Sequence, residues 1–239
     1  MSALNDLVRE LLTGYLEGEF AGRPDLSRKV VPEYPPSAKR ILIDDGTWAQ
    51  TLKRPNVHLV TDKIETITPA GLRTADGTEH AVDVIVYATG FHASKFLMPM
   101  RVTGRRGVDL NEQWAGNARA YLGITVPNFP NLFLLYGPNT NIVINGTTIF
   151  FAECEAHYIQ GCLRLLLEGR FRAMDPRASV HDEYNARIDE GNANMVWGAS
   201  TVNSWYKNEF GRTAQNWPFG LLEYWAQTRA PSRSDYELL

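Results

Sequence analysis

The sequence predicts an α/β fold. Two runs, residues 83–88 and 131–136, are almost wholly apolar and each ends in a glycine turn. Such runs are typical of strands buried on both faces of a parallel sheet. Other segments carry apolar residues at three- and four-residue spacing, which indicates amphipathic helices. With 239 residues, of which 44% are hydrophobic, the chain is long enough for one large domain or two small ones.

The first half of the chain is predicted to contain one helix, a connector and a hairpin. Leucines at helical spacing predict a helix over residues 3–20, which Pro24 prevents from continuing. Residues 23–36, rich in proline and charge, are expected to be an ordered connector. Residues 56–60 form a short strand candidate, and the alternating pattern of residues 64–74 predicts a hairpin.

The second half is predicted to be mainly helical after the second buried strand. A single apolar face predicts a long helix over residues 150–168, which Gly169 ends. A strongly charged helix is expected over residues 176–192. The C-terminal stretch holds four of the six tryptophans.

Composition excludes several classes of protein. A net charge of −3 lacks the basic excess of a protein that binds nucleic acid or anionic membranes. No apolar run approaches the ~20 residues that span a bilayer, and the first residues do not read as a signal peptide, so we expect a cytoplasmic location. Two cysteines cannot form a disulfide framework. Glu153 and His157 share a helix face without a third ligand, so no metal site is predicted.

Two glycine turns after predicted strands are candidate ligand sites, because backbone N–H groups become available where a strand ends. The turns are Ala88-Thr89-Gly90-Phe91 and residues 136–141, although a single strand-glycine turn is more often purely structural. No two glycines lie two residues apart, so the dinucleotide fingerprint G-x-G-x-x-G is absent, and so is the phosphate loop G-x-x-x-x-G-K-[ST].

A set of short motifs, in order along the chain, carries a resemblance to a known family. The motifs are Tyr34-Pro35 with Lys39-Arg40, residues 52–57, 67–72 and 83–91, Trp114, residues 121–123, 129–133 and 137–139, Ser204-Trp205-Tyr206 and Trp217-Pro218. The chain resembles the C-terminal part of the Baeyer–Villiger monooxygenases, in particular the branch that acts on aryl ketones such as 4-hydroxyacetophenone. The resemblance covers essentially the whole chain.

The resemblance implies a reaction and two charged site residues. Members of the family use FAD and NADPH to insert one oxygen atom from O2 beside a ketone carbonyl. Arg40 matches the family's catalytic arginine, which would stabilise developing negative charge as a fixed cation. Lys39 matches the lysine that meets the 2′-phosphate of NADPH. The alternative for both residues is an ordinary exposed basic pair.

The resemblance also implies further cofactor contacts. Thr89 and Gly90 match the crossing between the NADPH and FAD domains, beside the flavin. Residues Asn139, Thr140 and Asn145 match the stretch that passes along the isoalloxazine ring, and Trp205 matches a tryptophan near the nicotinamide. For each side chain the alternative is structural, either a satisfied loop amide or a core aromatic.

The resemblance implies a portion of a flavoprotein with two dinucleotide-binding domains. Residues 1–88 would be the C-terminal part of the NADPH-binding domain with a connector, and residues 89–239 the returning segment of the FAD-binding domain with C-terminal helices. Because the cofactor loops are missing, the chain alone is expected to be inactive and to need a partner chain with the N-terminal half, or to self-associate. A non-catalytic remnant, a protein-binding domain and an N- or S-oxidising flavin monooxygenase remain alternatives.

Overall fold

The computed structural model describes residues 2–41, 43, 45–144 and 146–239. Its contacts divide the chain into two compact units. The first unit comprises Met1–Pro35 and Ile41–Phe91, and the second comprises Pro36–Arg40 and His92–Leu239. A mixed α/β character, as predicted, is confirmed by the helices and strands that follow.

The described part of the first unit contains three helices, α1 (Ala3–Glu19), α2 (Pro24–Val30) and α3 (Thr47–Leu52). The predicted first helix is therefore confirmed, and it begins where the Ser2 hydroxyl accepts the Asn5 N–H at 3.3 Å. The prediction of a helix-free connector was wrong, because Pro24 occupies the first position of α2, where its missing N–H costs nothing. The apolar stripe of α1 is exposed, and the small core of this unit lies around Phe20.

Three antiparallel strands follow in the same unit, β1 (Ile64–Thr68), β2 (Gly71–Thr74) and β3 (Glu79–Ala81), in the order β1-β2-β3. The pairing of β1 with β2 confirms the predicted hairpin. The turn before β3 is held by Asp76, whose carboxylate accepts the hydroxyls of Thr74 at 2.6 Å and Thr78 at 2.7 Å. These bonds lower the pKa of Asp76 to about 2.

The three other strands predicted from composition were wrong. Residues 56–60, 83–88 and 131–136 contain no strand, although all of them are described. Val86 and Phe91 are 83% and 98% exposed. An apolar, β-branched run indicates burial on both faces, but a strand also needs a hydrogen-bonding neighbour, and no described strand pairs with these segments.

The second unit is mainly helical. Its helices are α4 (Leu110–Trp114), α5 (Thr148–Gly169), α6 (Ala178–Ala193), α7 (Val196–Ala199) and α8 (Leu221–Gln227), and its two strands are β4 (Met174–Pro176) and β5 (Tyr236–Leu238). Helices α5 and α6 confirm the two predicted in this half. Helix α5 begins early because the Thr147 hydroxyl accepts the Ile149 N–H at 3.2 Å.

An aromatic core holds the second unit together. Phe151 of α5 and Tyr224 of α8 lie with ring centroids 4.5 Å apart, and Trp217 contacts Tyr224 edge-on at 5.2 Å. All three rings are buried. This packing fixes the N-terminal half of α5 against α8 and against the segment that precedes α8. Among the described residues, no helix is both long and apolar enough to cross a membrane.

Candidate functional site

The centre of the candidate site is a tight loop, residues 136–141, which we call the GPN loop. Tyr136 and Asn139 have φ values of 55° and 62°, in the left-handed region that ordinary residues avoid. Gly137 lies so close to Gly123 that an added Cβ atom would sit 2.0 Å from the carbonyl oxygen of Gly123. The conformation of the loop therefore requires glycine at position 137, and its left-handed residues need support from neighbouring groups, which are described below.

Two of the residues predicted to meet the flavin have side chains that bond within the protein. The Asn139 amide is buried and donates to the carbonyl oxygens of Thr213 at 2.8 Å and Asn216 at 3.1 Å. The Thr140 hydroxyl is buried and donates to the Gly137 carbonyl at 2.8 Å. Their side chains thus shape the loop, and so do the backbone N–H groups of Asn139 and Asn141, which donate to the carbonyl oxygens of Ala214 at 3.0 Å and Gln215 at 2.8 Å. Asn145 lies outside the described residues.

A largely buried cation, which no sequence motif indicated, holds the GPN loop from one side. The Arg212 guanidinium donates to Asn139 Oδ1 at 2.9 Å, to the Ala118 carbonyl at 3.0 Å and to Asp189 Oδ1 at 2.7 Å. Each nitrogen of its fork has a partner, and burial lowers its pKa from the usual range.

A buried carboxylate, also missed, holds the loop from the other side. Glu155 of α5 is 0% exposed, and its Oε2 accepts the Tyr136 backbone N–H at 2.8 Å. Its Oε1 accepts the Tyr224 hydroxyl at 3.4 Å. Burial raises the pKa of Glu155 to about 7, and these hydrogen bonds oppose that rise. A signal was present, since Phe151, Glu155 and Tyr158 lie on one helix face.

Arg40 lies in the second unit, with an exposed side chain close to two tyrosines. Burial raises the pKa of the Tyr136 and Tyr206 phenols, and the positive charge of Arg40 opposes both rises. The Tyr136 hydroxyl donates to Asn141 Oδ1 at 2.9 Å. The charge of Arg40 thus acts on Tyr136 of the GPN loop, and neighbouring Lys39 is half-buried.

Trp205 lies against one of these two tyrosines, Tyr206. Its ring lies 4.7 Å from that of Tyr206 and remains 41% exposed, so one part of the indole is available to a ligand. Tyr206 is fully buried, and its hydroxyl has no hydrogen-bond partner among the described residues. We call Arg40, Tyr136, Trp205 and Tyr206 the Arg40 cluster.

Thr89 and Gly90 lie in the first unit and are exposed. Gly90 has φ +80°, and no heavy atom lies within 4 Å of the place where a Cβ atom would stand. The backbone there is open to close approach by a ligand, which glycine permits. Glu153 and His157 form no metal site, since His157 Nε2 lies 3.0 Å from the Arg229 carbonyl oxygen and no group of three or more metal-binding side chains occurs within the described part of the chain.

Replacing Gly137 with alanine is expected to destabilise the second unit by about 2 kcal/mol, because the added methyl group would meet the Gly123 backbone rather than a side chain that can move. Urea unfolding followed by tryptophan fluorescence measures this change. Gly220→Ala is the matched control, since nothing lies within 4 Å of its added methyl group, and it should cost less than about 1 kcal/mol. Equal effects of the two substitutions would contradict the close approach.

Curated relatives match 90–100% of this chain. No protein-family model matches it. An uncharacterized monooxygenase of Sinorhizobium fredii is 36% identical over 240 residues, covering 100% of this chain and 36% of the relative. A Baeyer–Villiger monooxygenase of Streptomyces coelicolor is 35% identical over 218 residues, covering 90% of this chain and 41% of the relative. The chain thus spans about two fifths of the length of these curated relatives.

Solved structures match the fold. The cyclohexanone monooxygenase of Rhodococcus sp. Phi1 bound to NADP+ superposes with a TM-score of 0.84 and 27% identity, covering 100% of this chain and 45% of that one. A closed structure of cyclohexanone monooxygenase gives a TM-score of 0.86 at 25% identity, and the match covers 100% of this chain and 46% of that one. The chain is therefore similar to less than half of each solved protein.

Proposed function

The chain is related to the C-terminal part of Baeyer–Villiger-type flavin monooxygenases, and from that premise we propose that it supplies the ketone-oxidising site of such an enzyme. The observation that carries the proposal is the Arg40 cluster. The charge of the exposed Arg40 guanidinium acts on the phenols of Tyr136 and Tyr206. The Tyr206 ring lies 4.7 Å from that of the partly exposed Trp205. We propose an aryl ketone and O2 as the substrates.

The residues of the cluster fit FAD and NADPH in part. In the second unit the available groups are the Arg40 guanidinium and the exposed part of Trp205. The first unit separately offers the open backbone at Thr89-Gly90. We propose Lys39 for the 2′-phosphate of NADPH and Trp205 for the nicotinamide side. The side chains of Asn139 and Thr140 do not fit a direct contact with the flavin, because both are buried and bonded within the protein.

The bound flavin, reduced by NADPH, would supply the activation of O2. Arg40 would hold a fixed positive charge at the place where negative charge develops on the substrate oxygen. A guanidinium keeps its proton at working pH and acts without transferring it.

We propose that residues 1–88 belong to the NADPH-binding domain and residues 89–239 to the FAD-binding domain. The passage from one compact unit to the other at Phe91–His92 supports a boundary near that position. The missing glycine fingerprints support a requirement for a second polypeptide segment that carries the cofactor loops. Two buried, unpaired cysteines are compatible with the cytoplasm as the setting.

Purified alone, the chain is expected to carry no bound FAD and to oxidise no NADPH. Mixed or fused with the N-terminal part of the Streptomyces coelicolor relative, in place of its own matched segment, it should gain flavin absorbance and convert an aryl ketone to an ester. Absorbance spectra and product analysis measure both effects. A stoichiometric flavin spectrum from the chain alone would overturn the requirement for a second segment. Oxidation of a thioether or an amine, but not a ketone, would favour the N- or S-oxidising alternative.

A non-catalytic remnant or protein-binding domain is the second candidate, and exposed apolar side chains favour it. The α1 stripe and the run around Val86 leave large apolar groups in contact with water. Self-association would cover them. The mass measured by size-exclusion chromatography distinguishes this candidate from the catalytic one, because a clean monomer argues against self-association.

A further inference from the structure

Trp205 stands at the corner of a tight turn. The Lys207 backbone N–H donates to the Ser204 carbonyl oxygen at 3.0 Å, which makes Trp205 and Tyr206 the two central residues of the turn. The Tyr206 side chain is buried, whereas the Trp205 indole is partly exposed. The direction in which the indole points therefore depends on the groups that hold this turn.

The C-terminal side of the turn is fixed by a short hairpin. Lys207 pairs with Thr213 in an antiparallel bridge, and the Asn208 N–H donates to the Arg212 carbonyl oxygen at 2.9 Å. Arg212 is the largely buried cation whose guanidinium holds the GPN loop. The backbone of Lys207 is thus attached to the interior of the second unit.

The N-terminal side of the turn, residues 201–205, forms few hydrogen bonds. The Val202 N–H donates to the Ser200 hydroxyl at 3.1 Å, and the Ser204 carbonyl oxygen closes the turn. Within the described part of the chain, these five residues take part in no other hydrogen bond. A segment of this kind keeps one conformation only if its ends are held.

The side chain of Lys207 holds the far end of this segment. Its ammonium group donates to the Gly198 carbonyl oxygen at 3.2 Å and to the Ser200 carbonyl oxygen. Both acceptors lie at the C-terminal end of α7, where backbone carbonyls lack partners within the helix and a cation is favoured. Helix α7 is itself attached to α6, because the buried Trp197 indole donates to Asn192 Oδ1 at 2.7 Å.

We propose that Lys207 is a positioning residue for Trp205. Its backbone closes the turn that carries the indole, and its ammonium group ties the preceding segment to the end of α7, so that residues 200–207 form a closed loop. Without the ammonium group, residues 201–205 lose this link to α7, and the indole becomes free to reorient. The consequence for NADPH rests on the proposed function, but the closed loop is a property of the chain itself.

The test is fluorine NMR of the full chain labelled with fluorotryptophan, in which each of the six tryptophans gives its own signal. Trp205→Phe identifies the Trp205 signal. Lys207→Met is expected to move that signal toward its position in the unfolded chain and to leave the other tryptophan signals in place. Lys207→Arg keeps a cation with several donors and should restore the parent position.

Lys95→Met is the matched control, since Lys95 is an exposed lysine of the same unit, and it should leave every signal unchanged. A Trp205 signal that stays in place in Lys207→Met would overturn the proposal. A shift of all the tryptophan signals together would also overturn it, because Lys207 would then support the whole unit.

Lys207→Gln is a milder second variant, because its side chain is shorter and uncharged but retains an amide donor. It is expected to move the Trp205 signal in the same direction as Lys207→Met. Failure of both variants to fold would show that Lys207 supports the whole unit rather than one turn, and would likewise overturn the proposal.

In the fused enzyme, Lys207→Met is expected to raise KM for NADPH about 3–10-fold with kcat within about twofold, because a less ordered tryptophan weakens binding rather than the chemical step. Steady-state kinetics at equal flavin content measure this change. A displaced Trp205 signal with an unchanged KM would contradict the place of Trp205 beside the nicotinamide and still support the closed loop. An inactive fused enzyme would count against the proposed function and leave the NMR result as it stands.

Discussion

Replacement of Arg40 by methionine is expected to lower kcat of the fused enzyme about 10²–10³-fold, the usual effect of removing one preorganised charge from a developing anion. Methionine keeps much of the side-chain length and loses the charge. Because Arg40 is exposed, the fold and its melting temperature should change little. Steady-state kinetics with an aryl ketone, together with the flavin content of each variant, measure the effect.

Arg101→Met is the matched control, since Arg101 lies in the same unit and its side chain is 86% exposed. It should leave kcat within about twofold of the parent enzyme. Arg40→Lys keeps the charge but loses the planar fork of donors, so its kcat should fall between the two. Equal kcat values for Arg40→Met and Arg101→Met would remove Arg40 from the chemistry.

Arg40 itself could be proposed from the sequence, but its surroundings could not. A Lys-Arg pair after Tyr34-Pro35 identifies the residue by resemblance. Nothing in the spacing indicates that its charge acts on Tyr136 and Tyr206, which come almost a hundred residues or more further along the chain. Sequence patterns describe local periodicity, and these contacts depend on tertiary packing.

The same limit explains which elements were predicted well. Helix α5 satisfies its backbone hydrogen bonds internally, so its apolar period alone locates it. A strand also needs a hydrogen-bonding neighbour, which its own composition does not identify. Residues 83–88 have the composition of a buried strand but no such neighbour, and the strand predicted there does not form. Glu155 was missed because a glutamate in a helix is usually solvated, although it stands on the apolar face between Phe151 and Tyr158.

Replacement of Arg212 by methionine is expected to destabilise the second unit by about 3 kcal/mol. The side chain of Arg212 is only 10% exposed, and its loss leaves Asn139 Oδ1 and the Ala118 carbonyl without their donor. Asp189 is less affected, because it keeps Arg119 at 2.7 Å and is partly exposed. Urea unfolding followed by tryptophan fluorescence measures the loss.

Two comparisons make the result specific to the GPN loop. Arg101→Met should cost less than about 1 kcal/mol, since exposed ion pairs contribute little. Combining Arg212→Met with Asn139→Ala should cost less than the sum of the two single changes, with a coupling of about 0.5–3 kcal/mol, because each removes the same hydrogen bond. Strict additivity would mean that Arg212 stabilises the unit only through Asp189 and Ala118. In that case the GPN loop would depend on Glu155 and on its own glycine rather than on a clamp from both sides.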